Sequence, residues 1–221
     1  MSEPDADLVA EDLACRRGER LVFARLSFRL PPGGALVLTG ANGSGKTSLL
    51  RLLAGLIAPA AGRLAWGATP IIGDAEHRAR LHYVGHQDAV KPGLTPRETL
   101  AFWAALRGQE VRRDAPALLA ALSTFALEAV GDWPCRWLSA GQRRRLALAR
   151  LLVTPAPLWL LDEPFSALDD DNRIRLEQTI VAHRAGGGRA VVATHIPAEI
   201  GATVGIGLDA YAPPPGDAGE H

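Results

Sequence analysis

The sequence predicts an α/β fold in which short buried strands alternate with helices and a helical insert interrupts the sheet. Three observations carry that prediction. Residues 35–39, 158–161 and 190–194 are short apolar runs of the kind that fill a parallel sheet. The first of them enters a glycine-rich loop that is followed at once by helical periodicity. Between about residues 94 and 142 the composition shifts to alanine- and leucine-rich helix.

Each element has its own local reason. Leu26, Phe28 and Leu30 alternate on one face before the Pro31-Pro32-Gly33-Gly34 turn, which gives the chain a β-rich start. Ala35–Thr39 is a buried strand, and Gly40 to Thr47 is the loop behind it. Leu49, Leu52, Leu53 and Leu56 then recur at helical spacing and predict one amphipathic stripe. Thr95-Pro96-Arg97-Glu98 has the residues of a capping box with proline at the first helical position. Ser139 and Gln142 predict a second box that opens another helix. Residues 158–161 end in an acidic pair, and 190–194 return the chain to the sheet. The expected organisation is one domain over 1–211 with the helical segment 94–142 inserted, and a disordered, proline- and glycine-rich tail over 212–221.

Composition limits the functions open to such a fold. The chain has 221 residues, is 48% hydrophobic, and balances 24 basic against 24 acidic residues, so no strongly basic nucleic-acid footprint is expected. No run approaches the roughly 18 apolar residues of a membrane span, and the acidic N-terminus lacks a signal-peptide pattern, so any work at a membrane is expected to go through a partner. Cys15 and Cys135 match no zinc or disulfide spacing and read as reduced thiols.

The chemistry starts at Gly40-Ala41-Asn42-Gly43-Ser44-Gly45-Lys46-Thr47, a full G-x-x-x-x-G-K-[ST] match. Glycines let the backbone curl so that successive N–H groups form an anion nest, and the helix that follows adds its positive end. Lys46 is placed to reach the β- and γ-phosphates of ATP, and the Thr47 hydroxyl to hold Mg²⁺. Asp162 and Glu163 close a buried strand, where Asp162 can take the Mg²⁺ and Glu163 can polarise an attacking water. Taken alone, such a pair is often a solvated strand end; downstream of a phosphate loop it reads as catalytic. Ser139, Ala140, Gly141 and Gln142 leave backbone amides at a positive helix end, a second anion site. The arginines that follow them read as an ordinary solvated face.

Leu138-Ser139-Ala140-Gly141-Gln142, placed just before the Asp162 strand, resembles the LSGGQ signature of ABC ATPases, with Ala140 where glycine is usual. That resemblance covers roughly residues 8 to 208. It implies a P-loop NTPase fold with an antiparallel β subdomain and an inserted α-helical subdomain. It also implies a head-to-tail dimer, in which the signature of one copy faces the ATP of the other. Gln87 stands where the family places its Q-loop glutamine, which senses Mg²⁺ and water. Ser166-Ala167-Leu168-Asp169 looks like the D-loop, and His195 like the switch histidine. The family's usual adenine-stacking aromatic has no counterpart between Cys15 and Leu21; Arg17, whose guanidinium plane can stack on a purine, is the candidate in its place.

Within the family, the stretch from Val84-Gly85-His86-Gln87 to Thr95, the helix after the phosphate loop and the alanine of the signature look most like the ATP-binding subunit of the heme exporter of cytochrome c maturation. That resemblance implies an integral membrane partner and a peripheral place on the cytoplasmic side of a bacterial inner membrane. The alternatives are another ABC transporter, or a soluble ABC ATPase without a membrane partner. The chain's histidines, 77, 82, 86, 183, 195 and 221, read as surface, loop or switch residues rather than heme ligands.

Overall fold

A computed structural model describes residues 6–71, 73–109 and 111–213. Two sheets organise it. In the antiparallel sheet, β1 (Leu8–Arg17) lies between β2 (Arg20–Leu30) and β4 (Ala61–Trp66), and β5 (Thr69–Pro70) pairs with β4 at the edge. In β2, Leu26 and Leu30 are buried and Phe28 packs against the same core, as their alternation predicts. The parallel sheet runs β6 (Leu81–Val84), β7 (Leu158–Asp162), β8 (Arg189–Ala193), β3 (Ala35–Thr39), β9 (Val204–Gly207). All four of its pairings are parallel.

The three apolar runs occupy the middle of this sheet because both of its faces are covered. On β7, Leu158 and Leu160 enter one hydrophobic core while Trp159 and Leu161 enter another. On β8, Val191 and Ala193 go with the first core, and Ala190 and Val192 with the second. The first core holds the inner face of the antiparallel sheet together with α1 (Lys46–Leu53). The second holds residues of α3 (Pro96–Leu106), α4 (Pro116–Thr124), α5 (Ala140–Ala149) and α6 (Asp170–Ala185); α2 (Ala75–Ala79) precedes β6. The helical segment is therefore roofed onto one side of the sheet through Leu100, Ala104, Leu118, Leu122 and Phe125, all essentially inaccessible to solvent. Fully burying each of these leucines contributes roughly 1.5–3 kcal/mol.

Both capping boxes form. The Thr95 hydroxyl accepts from the Glu98 amide at 3.2 Å while the Glu98 carboxylate accepts from the Thr95 amide at 2.9 Å. Ser139 and Gln142 do the same at 3.1 and 2.8 Å.

Three expectations need correction. Leu56 is not on the stripe of α1: the helix stops at Ala54, and Gly55 turns left-handed at φ 64°. The Leu56 amide bonds Arg51 O and the Gly55 amide bonds Leu52 O, both at 2.9 Å, a Schellman stop that leaves Leu56 55% exposed. Two histidines expected at the surface or in loops are inside. His77 accepts from Trp66 Nε1 at 3.0 Å and bonds Leu53 O at 2.7 Å, and His82 bonds Thr154 O at 2.8 Å. The arginines after the signature are not a solvated face either. Arg144 and Arg150 are buried, Arg150 lies over the Trp103 ring at 4.3 Å, and Arg145 donates to Phe125 O and Ala126 O. Of the tail expected to fray, residues 214–221 lie outside the described residues. Ala212, assigned to the same tail, closes the last 3₁₀ turn through its amide to Asp209 O at 3.3 Å.

Candidate functional site

The site forms where β3 and β7 end. Because β3 is central and α1 follows after a short loop, residues 40–47 must reverse direction tightly. Gly45, at φ 107°, is the N-cap of α1 and offers no side chain to cap it. A Cβ there would sit 2.7 Å from Val22 Cγ1 and 3.0 Å from Phe23 Cδ1, so antiparallel-sheet residues leave room for glycine alone. Lys46 is 9% exposed, and its ammonium donates to Gly40 O at 2.7 Å and Ala41 O at 3.1 Å, folding the side chain back over its own loop. The Ser44 hydroxyl is buried without a hydrogen-bond partner among the described residues. A loop with a buried cation, an unsatisfied hydroxyl and a helix N-terminus is built for a phosphate.

Asp162 is brought to this loop by strand parity. It follows Leu158 and Leu160 on the face of β7 that looks toward α1, and its carboxylate accepts from Thr47 Oγ1 at 2.8 Å. A hydroxyl and a carboxylate in contact are hard oxygen donors of the kind Mg²⁺ prefers, so these residues fit that ion. Glu163 leaves the strand in the left-handed region at φ 47°, a conformation that costs a non-glycine residue about 1–2 kcal/mol. Its amide donates to Ala193 O at 2.8 Å, tying it to the end of β8. Two residues past that strand end, His195 bonds the Glu163 carboxylate, Nδ1 to Oε2 at 2.9 Å. The carboxylate is 17% exposed and the imidazole 70%, so the histidine covers the glutamate from the solvent side.

A cavity of 360 Å³ opens at the loop, lined by Asn42, Gly43, Lys46, Thr47, Asp162 and Glu163, with Arg17 and His86 at its walls. Arg17, the candidate for the base, thus shares the cavity with the phosphate loop. Gln87 is exposed and lines an adjoining cavity of 490 Å³ together with Thr47, Asp162 and Tyr83. Burial pushes the Tyr83 phenol above its ordinary range, and lowers the Arg150 guanidinium on the same wall to about 10.

The signature and D-loop residues lie elsewhere. Ser139, Ala140, Gly141 and Gln142 line neither cavity. They sit beside the turn that precedes Asp169: a Cβ on Gly141 would come within 3.1 Å of Ala167 O. The Asp169 carboxylate caps α6 by accepting the Asn172 amide at 2.9 Å, and that backbone hydrogen bond holds its pKa below the usual carboxylate value. A single chain therefore assembles the phosphate loop, Asp162, Glu163 and His195, and carries the signature apart from them.

Two residues were missed from the sequence. Asp209, beyond β9, accepts from the Ala41 amide at 3.2 and 3.3 Å and braces the start of the phosphate loop. The continuing β3–β9 register, Thr39 opposite Gly207, is what brings it there, and no local signal announces it. Arg144 donates to Gly85 O, Asp88, Asp162 O and Glu163 O. Its only local signal was a cation one turn inside a capped helix.

A strand, phosphate loop and helix, an acidic strand end facing them, and a separately held capped signature define an ATP-binding cassette. The family model described as ABC transporter matches residues 23–166. The chain is 56% identical over 216 residues to the cytochrome c biogenesis ATP-binding export protein CcmA of Rhodospirillum rubrum, covering 96% of this chain and 90% of that protein. With the protein of the same name from Paramagnetospirillum magneticum it shares 51% over 209 residues, 94% and 96% of the two chains. The chain belongs to the ABC transporter ATP-binding family, within it to the cytochrome c biogenesis ATP-binding export proteins. Among solved structures, a putative ABC transporter ATP-binding protein from Pyrococcus furiosus shares the fold at a TM-score of 0.83 and 22% identity, over 94% of this chain and all of that one. An ATP-binding cassette solved as a dimer in a post-hydrolysis state with ADP and phosphate does so at 0.75 and 23%, over 86% and 88%.

Proposed function

We propose that this chain is the ATP-hydrolysing subunit of the heme exporter of c-type cytochrome biogenesis, powering heme export or the release of heme from its chaperone. The single observation that carries hydrolysis is the convergence of Thr47, Asp162 and Glu163 on one phosphate-loop cavity. The heme assignment is supported by the printed names of relatives at 56% and 51% identity.

In this reading the amides of residues 40–47 and the Lys46 ammonium cradle the ATP phosphates, and Arg17 stacks on the adenine. Thr47 and Asp162, with Gln87 alongside, would hold Mg²⁺, which would neutralise phosphate charge when bound. Glu163 takes a proton from the attacking water, and His195 orients the Glu163 carboxylate through the 2.9 Å contact. Ser139, Ala140, Gly141 and Gln142 act on the ATP of a second copy, with Asp169 at the same junction. The separation of the signature from the chain's own cavities supports a head-to-tail dimer with two composite sites. Among the described residues no helix is long and apolar enough to cross a membrane. Attachment to the cytoplasmic side of the bacterial inner membrane then falls to an integral membrane subunit, docked on the helical segment from about Leu94 to Leu138.

Glu163→Gln tests both halves of the reading. The variant is expected to bind ATP, remain as a closed dimer and hydrolyse at least about 100-fold more slowly, the usual worth of a positioned base. Full turnover would remove Glu163 from its role. Expressed in a bacterium that makes c-type cytochromes, the same variant should abolish their maturation; normal maturation would sink the heme assignment.

A further inference from the structure

We propose that Arg144 is a positioning residue for Glu163: from the signature helix, its guanidinium sets the backbone of the hydrolytic glutamate and ties it to the loop that carries Gln87. The inference rests on the reading of Glu163 as the base.

Arg144 lies in the second turn of α5, five residues after Ser139, and is 4% exposed. Its two terminal nitrogens do different work. Nη2 donates to Asp162 O at 2.8 Å and to Glu163 O at 2.7 Å, the two carbonyls at the end of β7. Nη1 donates to Gly85 O at 2.9 Å and to Asp88 Oδ1 at 3.2 Å, which flank Gln87 on the loop after β6. Each terminal nitrogen has two hydrogens, so all four are used. The planar fork of a guanidinium fixes the angle between its two edges. It therefore fixes the spacing between the strand end and the glutamine loop, which a single ammonium point charge cannot do.

Glu163 needs such a holder. Its left-handed φ of 47° persists only where neighbours over-determine it. The Ala193 carbonyl restrains its amide; its carbonyl accepts from Arg144 at 2.7 Å and, more weakly, from the Ser166 amide at 3.2 Å. Without Arg144 only the longer Ser166 turn contact holds that carbonyl, and Glu163 can relax toward the extended region that Pro164 favours for the residue before it, swinging the carboxylate away from the cavity. All four acceptors lie on segments that end at the site, none in the interior of a core. A buried cation placed purely for stability has no reason to choose them, since its desolvation is costly.

The test measures kcat, KM and ATP affinity for the full chain bearing Arg144→Gln, Arg144→Lys, Glu163→Gln, and Arg144→Gln with Glu163→Gln. Arg144 lines neither cavity. Arg144→Gln should thus lower kcat about 10- to 100-fold while ATP affinity stays within about threefold. Arg144→Lys, which keeps the charge but loses the fork, should recover only part of the rate. In the Glu163→Gln background, adding Arg144→Gln should change the residual rate by less than about twofold, because the two act through one group. A further loss in that background equal to the loss in wild type would overturn the proposal, as would a KM effect without a kcat effect. Should Arg144→Gln fail to fold, Arg144→Lys alone and in the Glu163→Gln background carries the same comparison. Wild-type turnover in Glu163→Gln brings down the reading of Glu163. A stalled Glu163→Gln beside an undiminished Arg144→Gln brings down the positioning role alone.

Discussion

Acid should loosen this protein through its inward-packed histidines, and the size of the effect can be worked from their surroundings. His82 on β6 is 6% exposed, and burial lowers its pKa to about 4 despite the carbonyl of Thr154 at 2.8 Å. His183 stacks on Trp159 at 3.8 Å and 4°, and burial again lowers its pKa to about 4. In the unfolded chain both titrate near 6.5. Between pH 6.5 and 4 the unfolded state thus binds more protons than the folded one. Stability is fully present above about pH 6.5 and falls as the pH drops through that window. At pH 5 the loss from His82 is roughly 2 kcal/mol relative to pH 7, with a smaller loss from the less buried His183. His77, whose pKa burial also lowers, adds in the same direction. Urea unfolding at pH 7 and pH 5, followed by tryptophan fluorescence, should show a drop of roughly 3–4 kcal/mol in the wild type. His82→Gln, whose amide can still donate to Thr154 O, should shrink that drop by roughly 2 kcal/mol. An identical pH slope in the variant would refute the reasoning. Since β6 leads directly to Gln87, ATPase activity should decline over the same acid window.

If Ser139 acts on a nucleotide held by another copy, as proposed, Ser139→Ala should abolish turnover while leaving ATP binding by the monomer within about twofold; weakened binding measured on monomer would count against that arrangement. Gly45→Ala and Gly43→Ala form a contrast. At Gly45 the new methyl meets Val22 at 2.7 Å, whereas at Gly43, φ 85°, nothing lies within 4 Å. The first should lower ATP affinity by tenfold or more and depress Tm, while the second costs only about 1 kcal/mol of backbone strain. Equal effects in titration calorimetry would show that the close approach to β2 is not what requires Gly45.

Where a signal is local, the sequence was sufficient. The phosphate loop, the strand at Ala35–Thr39, both capping boxes and the order of the site residues were legible because each depends on neighbours within a few positions. Leu56 was misread because a period of leucines continues past a glycine that ends the helix, and hydrophobicity does not register a left-handed φ. Arg144, His77 and His82 were misread for a different reason. Their partners lie 18 to 72 positions away along the chain, except for the Trp66–His77 contact. A polar side chain gives no local sign that distant carbonyls will satisfy it. Asp209, 168 positions from the Ala41 amide it accepts, is the extreme case.

The alternation along β7 has a consequence for how this chain can change. Leu158 and Leu160 serve one core, Trp159 and Leu161 the other, and Asp162 takes its direction from its even place in that count. Loss or gain of one residue within the strand would exchange the contents of both cores and turn Asp162 away from Thr47 in the same event. Swaps of one apolar residue for another in β7 should be survivable; a shift in its length should not. The aim of the Asp162 carboxylate is thus inherited from the packing phase of the strand behind it, and a change of length is expected to be tolerated in the loops rather than in β7.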